Sequence, residues 1–416
     1  MSNRLKDHRE IGRELDLFTT SDLVGSGLPL FTPKGTILRD ILSDYSEKLQ
    51  KEAGYEKVWI PHIAKEELYK NSGHWDKFGN ELFKVKSQET NDKFILKPMN
   101  CPHHIQIYTS RPRSYKDLPV RFYETTTVYR DEKSGELGGL LRVRSVTQDD
   151  AHIFCTMEQI DQELFIILDM VKKMYKALDM EFKLRLSFKD QKTPEKYFGT
   201  DEQWNKAQES IERVAKKSGL KYEIAIGEAA FYAPKIDIMV TDSQNREWQL
   251  ATEQVDLVMP SRFKITYLDS DGNKKNPIMI HKALLGSIER FLSVYLEHTQ
   301  GNFPLWISPV QVKVIPISEK HNEFAKQVFE LLKENSIRSE FDKDNSTVSL
   351  KIRNATLQKI PYMFIIGDKE IEKSKKIIKL SEDAFISVRT REGKDLGFNN
   401  LYEFIQSLKK QIGNFL

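Results

Sequence analysis

The stretch RVRSVTQDDAHIF, residues 142–154, has the alternation of a single β-strand. With a period of two, Arg142, Arg144, Val146, Gln148, Asp150, His152 and Phe154 fall on one face, and Val143, Ser145, Thr147, Asp149, Ala151 and Ile153 on the other. Most of the first face is polar or charged. A solvated surface is the bland explanation; a concave polar floor also explains why Gln, Asp and His follow one another there, and is the preferred reading. Upstream, RFYETTTVYRDE (121–132) reads as a second strand, and the Gly-rich KSGELGGLL between them makes the pair a long hairpin. With YAPKIDIMVTD (232–242) as a further strand, an antiparallel sheet carrying helices is expected, an α+β class.

Three helices should flank that sheet. Ile37, Leu38, Ile41, Leu42, Tyr45 and Leu49 recur at helical spacing, and Gly54 is placed to stop the helix before the strand-like KVWIPHI (57–63). A second helix is expected from Thr156, where Thr-Met-Glu-Gln has the form of a capping box ahead of Ile160, Leu164, Leu168 and Val171. A third is expected from about His281 to His298, with Leu284, Leu285, Ile288, Phe291, Leu292 and Tyr295 turned inward. On it Gly286 and Arg290 would share one stripe, the glycine leaving room for a flat base or a phosphate chain.

Candidate chemistry lies in three separate polar segments, KPMNCPHH, TQDDAHIFC and IMIHKALLGS, through Cys101, His152 and His281. A thiolate and two imidazoles make a good zinc set, and three protein ligands leave the fourth position open for substrate. Singly, each is more often a buried, satisfied core residue than a ligand. Arg130 and Glu132, two apart near the end of the upstream strand, would share a face. Arg130 can present a bidentate fork to a phosphate oxygen, although a surface ion pair is the commoner meaning of an isolated Arg-x-Glu.

A chain of 416 residues can bury two cores, and 39% hydrophobic with 30% charged residues is the profile of a soluble globular protein. Only two cysteines, Cys101 and Cys155, exclude a disulfide framework and favour a reducing compartment, the cytoplasm. The N-terminus resembles neither a signal nor a transit peptide, and no run of about 18 apolar residues could span a membrane. Net charge is +3, but residues 305–416 hold 19 Lys and Arg against 15 Asp and Glu, so the C-terminal part is the candidate for meeting a polyanion.

A boundary is expected at GNFPLWISPVQV, near Leu305, giving domains 1–304 and 305–416. After it the pattern reads strand (311–317), helix (321–335), strand (337–341), helix (346–359), strand (361–367), two basic strands and a closing helix from Asn399, a small α/β domain with a mixed sheet.

Taken together the chain resembles the class II aminoacyl-tRNA synthetases, and within them the threonyl-tRNA synthetase family, from about Asp7 to its end. Its three class-defining segments are matched by the long helix and strand ending at Pro61, by the Arg130-Asp131-Glu132 hairpin and by Gly286-Ser287-Ile288-Glu289-Arg290; GHWDKF, LKPMNCP, TQDDAHIFC, MIHKALLGSIERF and RTREGKDLG are specific to the threonyl family. The resemblance implies a homodimer that activates threonine with ATP and Mg²⁺ and charges tRNA(Thr). It implies that Cys101, His152 and His281 hold zinc, which binds the threonine amino and hydroxyl groups, with Gln148, Asp150, Tyr232 and Gln254 completing that pocket. For ATP it implies Arg130, Glu132, Arg142, Lys235, Gln249, Thr252 and Arg290, the two arginines Arg130 and Arg290 being catalytic. His74 is implied at the 3′ end of tRNA, and Asn345, Arg353, Glu370 and Arg389 at the anticodon.

Departures from the family pattern are also visible. The usual Asn-Cys-Pro-Gly-His reads Asn100-Cys101-Pro102-His103-His104, so an imidazole that crowds the metal or points away replaces a hydrogen. Val146 replaces a common aromatic, leaving more of the adenine stacking to Arg290. Alanines stand at Ala229 and Ala233 where glycines are common, and Glu253 at a usually apolar position. Lys373–Ala384 is longer than usual and reads as a solvated hairpin. The family's N-terminal regions, including the domain that hydrolyses seryl-tRNA, have no counterpart in these residues, so no editing in cis is expected. Two other readings compete: a paralogue that activates an amino acid without charging tRNA, and a non-catalytic RNA-binding relative.

Overall fold

Val120–Tyr129 pairs with Ser145–Cys155 in antiparallel register from Val120↔Phe154 to Tyr129↔Ser145, which is the expected hairpin. In the computed structural model, which describes residues 4–374 and 384–415, this hairpin sits inside an eight-stranded sheet. The strand order is Tyr222–Ile226, Phe182–Phe188, Lys235–Thr241, Glu247–Asp256, Ile278–Ser287, Ser145–Cys155, Val120–Tyr129 and Glu56–Lys57. The six inner strands are antiparallel to one another, and only the two outermost pairings are parallel.

Two expected boundaries move. The strand begins at Ser145, so Arg142 and Arg144 lie before it, and the hairpin's other strand stops at Tyr129, so Arg130 and Glu132 are not alternate residues of a strand. A tight turn joins them instead, with the Glu132 amide donating to the Arg130 carbonyl at 2.8 Å. Arg144 is held by its own amide to Gly27 O at 2.8 Å and by its guanidinium to Glu132 O at 2.9 Å.

The larger correction concerns residues 281–298. Ile278–Ser287 is a strand at the centre of the sheet, and the helix runs only over Ile288–Thr299. The strand is buried on both faces over its first eight residues, so its apolar residues need not alternate, and a continuous apolar run cannot be told from a helix by its period. Gly286 therefore shares no helical stripe with Arg290. It takes φ +71°, and a Cβ there would lie 2.3 Å from Leu250 O. Close backbone approach and a left-handed conformation require the glycine, not room for a ligand.

The other helices follow their signals. Pro33–Glu52 buries Leu42, Tyr45 and Leu49 and is followed by Gly54 at φ +81°. Thr156 and Gln159 form the capping box, which opens a 3₁₀ turn leading into Ile160–Ala177. That helix buries Leu164, Ile167, Leu168, Val171, Met174 and Tyr175 against one face of the sheet, with the Tyr175 hydroxyl donating to Leu284 O at 3.2 Å. Each such buried aliphatic side chain stabilises by about 1.5–3 kcal/mol.

The chain divides into two compact units, Thr20–Leu30 with Leu42–His298, and Met1–Thr19 with Phe31–Ile41 and Thr299–Leu416. The N-terminal helix His8–Glu14 belongs to the second because Ile11 and Leu15 pack over Gly301, where a Cβ would come within 2.7 Å of Leu15. The second unit carries a five-stranded mixed sheet ordered Ser339–Phe341, Val312–Pro316, Tyr362–Ile366, Phe385–Thr390, Asp395–Asn400, the first three parallel and the last two antiparallel. Helices Asn322–Glu334, Val348–Leu357 and Leu401–Gly413 alternate with it as the sequence pattern implies. The expected hairpin over Lys373–Ala384 falls mostly on 375–383, outside the described residues. Among the described residues no helix is long and apolar enough to cross a membrane.

Candidate metal centre and substrate floor

Antiparallel register builds the site in rows. Phe122, His152, His281, Gln254 and Lys235 face one another across five strands, and Glu124, Asp150, Ala283, Thr252 and Asp237 form the next row on the same face. The polar floor expected from one strand is thus shared by five.

Cys101 opens helix Cys101–Thr109 and brings its sulfur over the first row. The ligand atoms of Cys101, His152 and His281 all lie within 4.8 Å of one another, and all three side chains are buried. Each imidazole is held by its far nitrogen. His281 donates from Nε2 to Asp256 Oδ2 at 2.9 Å, and Asp256 is fixed in turn by the amides of Val258 and Met259. Its Nδ1 is buried with no partner among the described residues, an unused lone pair in the cluster. His152 Nδ1 shares a hydrogen bond with His104 Nδ1 at 2.8 Å, and its Nε2 lies 3.8 Å from Asp150 Oδ1. Burial drives both His104 and His152 well below the usual imidazole range, so neither ring competes for protons. Burial beside the Asp150 and Asp256 carboxylates pushes the Cys101 thiol well up. A divalent cation reverses that bias, because it favours the thiolate it binds. Sulfur, two oriented imidazoles, an orphaned Nδ1 and a carboxylate behind one ring are the donor set and support that a zinc site uses.

His103 does not crowd this cluster. Its Nδ1 sits 3.4 Å from the Tyr69 hydroxyl, and burial holds its pKa down at about 4. His74 is fully buried, its Nδ1 2.7 Å from Ser72 Oγ and its Nε2 3.8 Å from Cys101 Sγ. The residue expected to meet a tRNA end therefore lines the metal side of the pocket, packed against Phe231 and Tyr232.

Of the four residues expected around an amino acid, Tyr232 and Gln254 lie beside His281, Asp150 is in the next row and Gln148 one row further on. Asp150 Oδ2 accepts from Asn100 Nδ2 at 2.9 Å, and the Tyr232 hydroxyl donates to Gln254 Oε1 at 2.8 Å while its ring lies 5.1 Å from that of His281. Gln148 Oε1 is buried without a partner among the described residues. Lys97, which sequence reading passed over, is buried on the floor's own face, donates to Thr126 Oγ1 at 2.8 Å and is lowered to about 8 by burial.

Three residues expected at ATP meet on a carboxylate that sequence reading also missed. Asp237 accepts from Lys235 Nζ at 3.1 Å, Gln249 Nε2 at 2.7 Å, Thr252 Oγ1 at 3.0 Å and Ser187 Oγ at 2.7 Å. The signal available was the period-two pair Lys235 and Asp237. Elsewhere Glu132 pairs with Arg142 at 2.8 Å, and Arg130 lies over the Phe78 ring at 5.2 Å with its NH2 3.1 Å from Met99 Sδ. Arg290 is exposed with its guanidinium 5.7 Å from the centre of the Trp248 ring, a third missed residue and an aromatic surface close to Arg290.

In the C-terminal unit, Asn345 and Arg353 are exposed, and Arg389 lies on Phe385–Thr390 within 4.0 Å of Asp395. Glu370 is buried at the third position of helix Asp368–Ser374, where it accepts from the Gly367 amide at 2.8 Å and from Ser387 Oγ at 2.6 Å and so caps the helix.

Residues 83–299 match the tRNA synthetase class II core domain (G, H, P, S and T), and residues 311–408 the anticodon binding domain. The chain is 51% identical over 367 residues to a threonine–tRNA ligase of Flavobacterium johnsoniae, covering 88% of this chain and 57% of that protein. It is 45% identical over 413 residues to one of Cytophaga hutchinsonii, covering 99% and 62%. The chain therefore spans about three fifths of the length of these curated relatives. A crystal structure of the RNA binding domain of threonyl-tRNA synthetase from Cryptosporidium parvum superposes with a TM-score of 0.90 at 35% identity, covering 98% of each chain. A prolyl-tRNA synthetase from Giardia lamblia, at 17% identity and a TM-score of 0.73, shares the fold.

Proposed function

Because the chain belongs to the threonyl-tRNA synthetase family of class II aminoacyl-tRNA synthetases, we propose that it activates threonine with ATP and passes it to tRNA(Thr). A threonine carboxylate oxygen attacks the α-phosphorus of ATP, the bond to the bridging oxygen breaks, and pyrophosphate leaves. A hydroxyl of the 3′-terminal adenosine then attacks the carbonyl, and AMP departs. Little proton transfer is needed in the first step, so positioning and charge neutralisation by Arg130, Arg290 and Mg²⁺ carry it.

Cys101, His152 and His281 would hold the zinc, which when bound supplies direct coordination to the amino and hydroxyl groups of threonine. Asp150, fixed by Asn100, accepts from the substrate hydroxyl, and the paired Tyr232 and Gln254 bound the amino-acid pocket beside it. A pocket that must satisfy a hydroxyl rejects valine, which leaves its buried polar groups unpaired. Lys235, Gln249 and Thr252, gathered on Asp237, and the Glu132–Arg142 pair supply the nucleotide side. Residues 1–304 are assigned to catalysis and 305–416, through Asn345, Arg353 and Arg389, to the anticodon; the working form is a cytoplasmic homodimer.

One observation carries this reading: three buried ligand atoms lie within 4.8 Å of one another, one an orphaned Nδ1, with Gln254 in the row of His152 and His281 and Asp150 in the next. The test is ATP–pyrophosphate exchange with threonine, valine or serine, with and without a zinc chelator, followed by tRNA charging. Exchange that requires threonine and zinc, together with charging, supports it; exchange without charging leaves an activating paralogue; no exchange leaves a non-catalytic relative.

A further inference from the structure

Between Ala283 and Ser287 the central strand slips against its neighbour. Ala283 pairs with Asp150, and the next pair is Ser287 with Gln148, so four steps on one strand answer two on the other. The backbone amides freed by the slip are taken up by side chains. Asp149, on the face opposite the polar floor and fully buried, accepts from Leu284 N at 3.0 Å, Leu285 N at 3.1 Å and Gly286 N at 3.1 Å. In the other direction, Thr147 N donates to Glu289 Oε2 at 2.8 Å, and Ser287 Oγ donates to the same oxygen at 3.1 Å. Two buried carboxylates thus stand where ladder carbonyls would be. Such charge-assisted bonds are short and strong, and losing an acceptor here orphans several buried donors at once.

Asp149 is itself anchored. Ser46 Oγ donates to its Oδ2 at 2.7 Å, Gln50 Nε2 donates to Ser46 Oγ at 3.2 Å, and Lys282 Nζ donates to Gln50 Oε1 at 2.6 Å. Gly286, at φ +71° and pressed on Leu250 O, gives the bulge little other shape to adopt. The two surplus residues of the bulge carry the chain from the His281 row to Ser287, beside Gln148, and into the helix that bears Arg290.

We propose that Asp149 is a positioning residue for the nucleotide side of the site, its carboxylate fixing the bulge that sets Ser287 and Arg290 relative to His281. It acts through Arg290 and reaches no substrate. This rests on Arg290 being a nucleotide contact, as proposed above. His281–Ala283 pair directly with Asp150–His152, so the metal and amino-acid side keeps its register without Asp149.

The experiment compares wild-type chain with the Asp149→Asn and Ser46→Ala variants, each reconstituted with zinc. Zinc content, pyrophosphate-exchange kinetics against ATP and against threonine, and amide exchange at Leu284–Gly286 are measured on all three. For Asp149→Asn the expected result is full zinc content, a threonine KM within about twofold of wild type, and kcat/KM for ATP down by about a hundredfold, the usual effect of an ångström-scale misplacement. Protection of the three amides falls with it. Ser46→Ala keeps all three amide bonds and shows the same split at about fivefold, and it decides the matter if Asp149→Asn does not fold. A wild-type chain without exchange activity sinks the assigned function, while unchanged amide protection in folded Asp149→Asn sinks the bulge argument whatever the activity. An active wild type with unchanged ATP kinetics in the folded variants, or zinc and threonine binding lost in step with ATP, overturns the proposal.

Discussion

Asp256 holds His281 by Nε2 at 2.9 Å and leaves Nδ1 as the ring's only open position. Both Asp256 oxygens are engaged, Oδ2 by the ring and Oδ1 by two backbone amides, so the carboxylate cannot swing away without exposing buried donors. The tautomer of His281 is therefore built in before any metal arrives.

Replacing that carboxylate tests its role. Asp256→Asn keeps Oδ1 for the Val258 and Met259 amides but removes the charge behind the imidazole. Zinc affinity should fall by about 10- to 100-fold in a competition titration, with the fold unchanged by circular dichroism.

Asp150 should govern discrimination more than binding strength. Asp150→Ala removes the acceptor proposed for a substrate hydroxyl, so exchange with threonine should drop by about 10- to 100-fold while exchange with valine changes little. The ratio of the two kcat/KM values, measured in parallel, reads this directly.

Glu253 yields a pH prediction. Both its carboxylate oxygens are buried without hydrogen-bond partners among the described residues, and burial raises it well above its ordinary value of 4.5, with Lys282 opposing. A carboxyl raised on folding adds stability that is complete below the unfolded value and is lost as pH climbs toward the folded one. Glu253→Gln should therefore raise the melting temperature at pH 7–8, by the equivalent of about 1–3 kcal/mol, and leave it nearly unchanged near pH 4. Thermal scans across that range check it.

In the C-terminal unit two residues first assigned the same task should part company. Arg353→Ala, at an exposed guanidinium, should weaken tRNA binding, reduce its salt dependence and leave stability alone. Glu370→Ala removes the acceptor for Gly367 N and Ser387 Oγ and should destabilise the unit by about 2–3 kcal/mol in denaturant unfolding.

What could be read from the sequence follows from where periodicity survives. Leu42, Tyr45 and Leu49 lie on a helix with one buried side, and the C-terminal strands and helices alternate cleanly, so both were legible. The alternation of Gln148, Asp150 and His152 against Thr147, Asp149 and Ala151 put the polar floor on the correct face. Ile278–Ser287 was misread because a strand covered on both sides loses its alternation. Asp149 and Asp150 differ by one position, yet one faces the floor and the other three backbone amides. Only the register slip, which leaves no local trace in composition, explains the first. Asp237 and Glu370 were obscured for a related reason, since a carboxylate satisfied by partners distant in sequence looks like any other acid until the fold gathers them.

X-ray absorption at the zinc edge, on the chain reconstituted with one equivalent of metal, tests the central claim most directly. The expected first shell is one sulfur at about 2.3 Å and two imidazole nitrogens at about 2.0–2.1 Å, with the remaining light-atom contribution altered by threonine and not by valine. A shell without sulfur, or one that neither amino acid changes, would contradict the account.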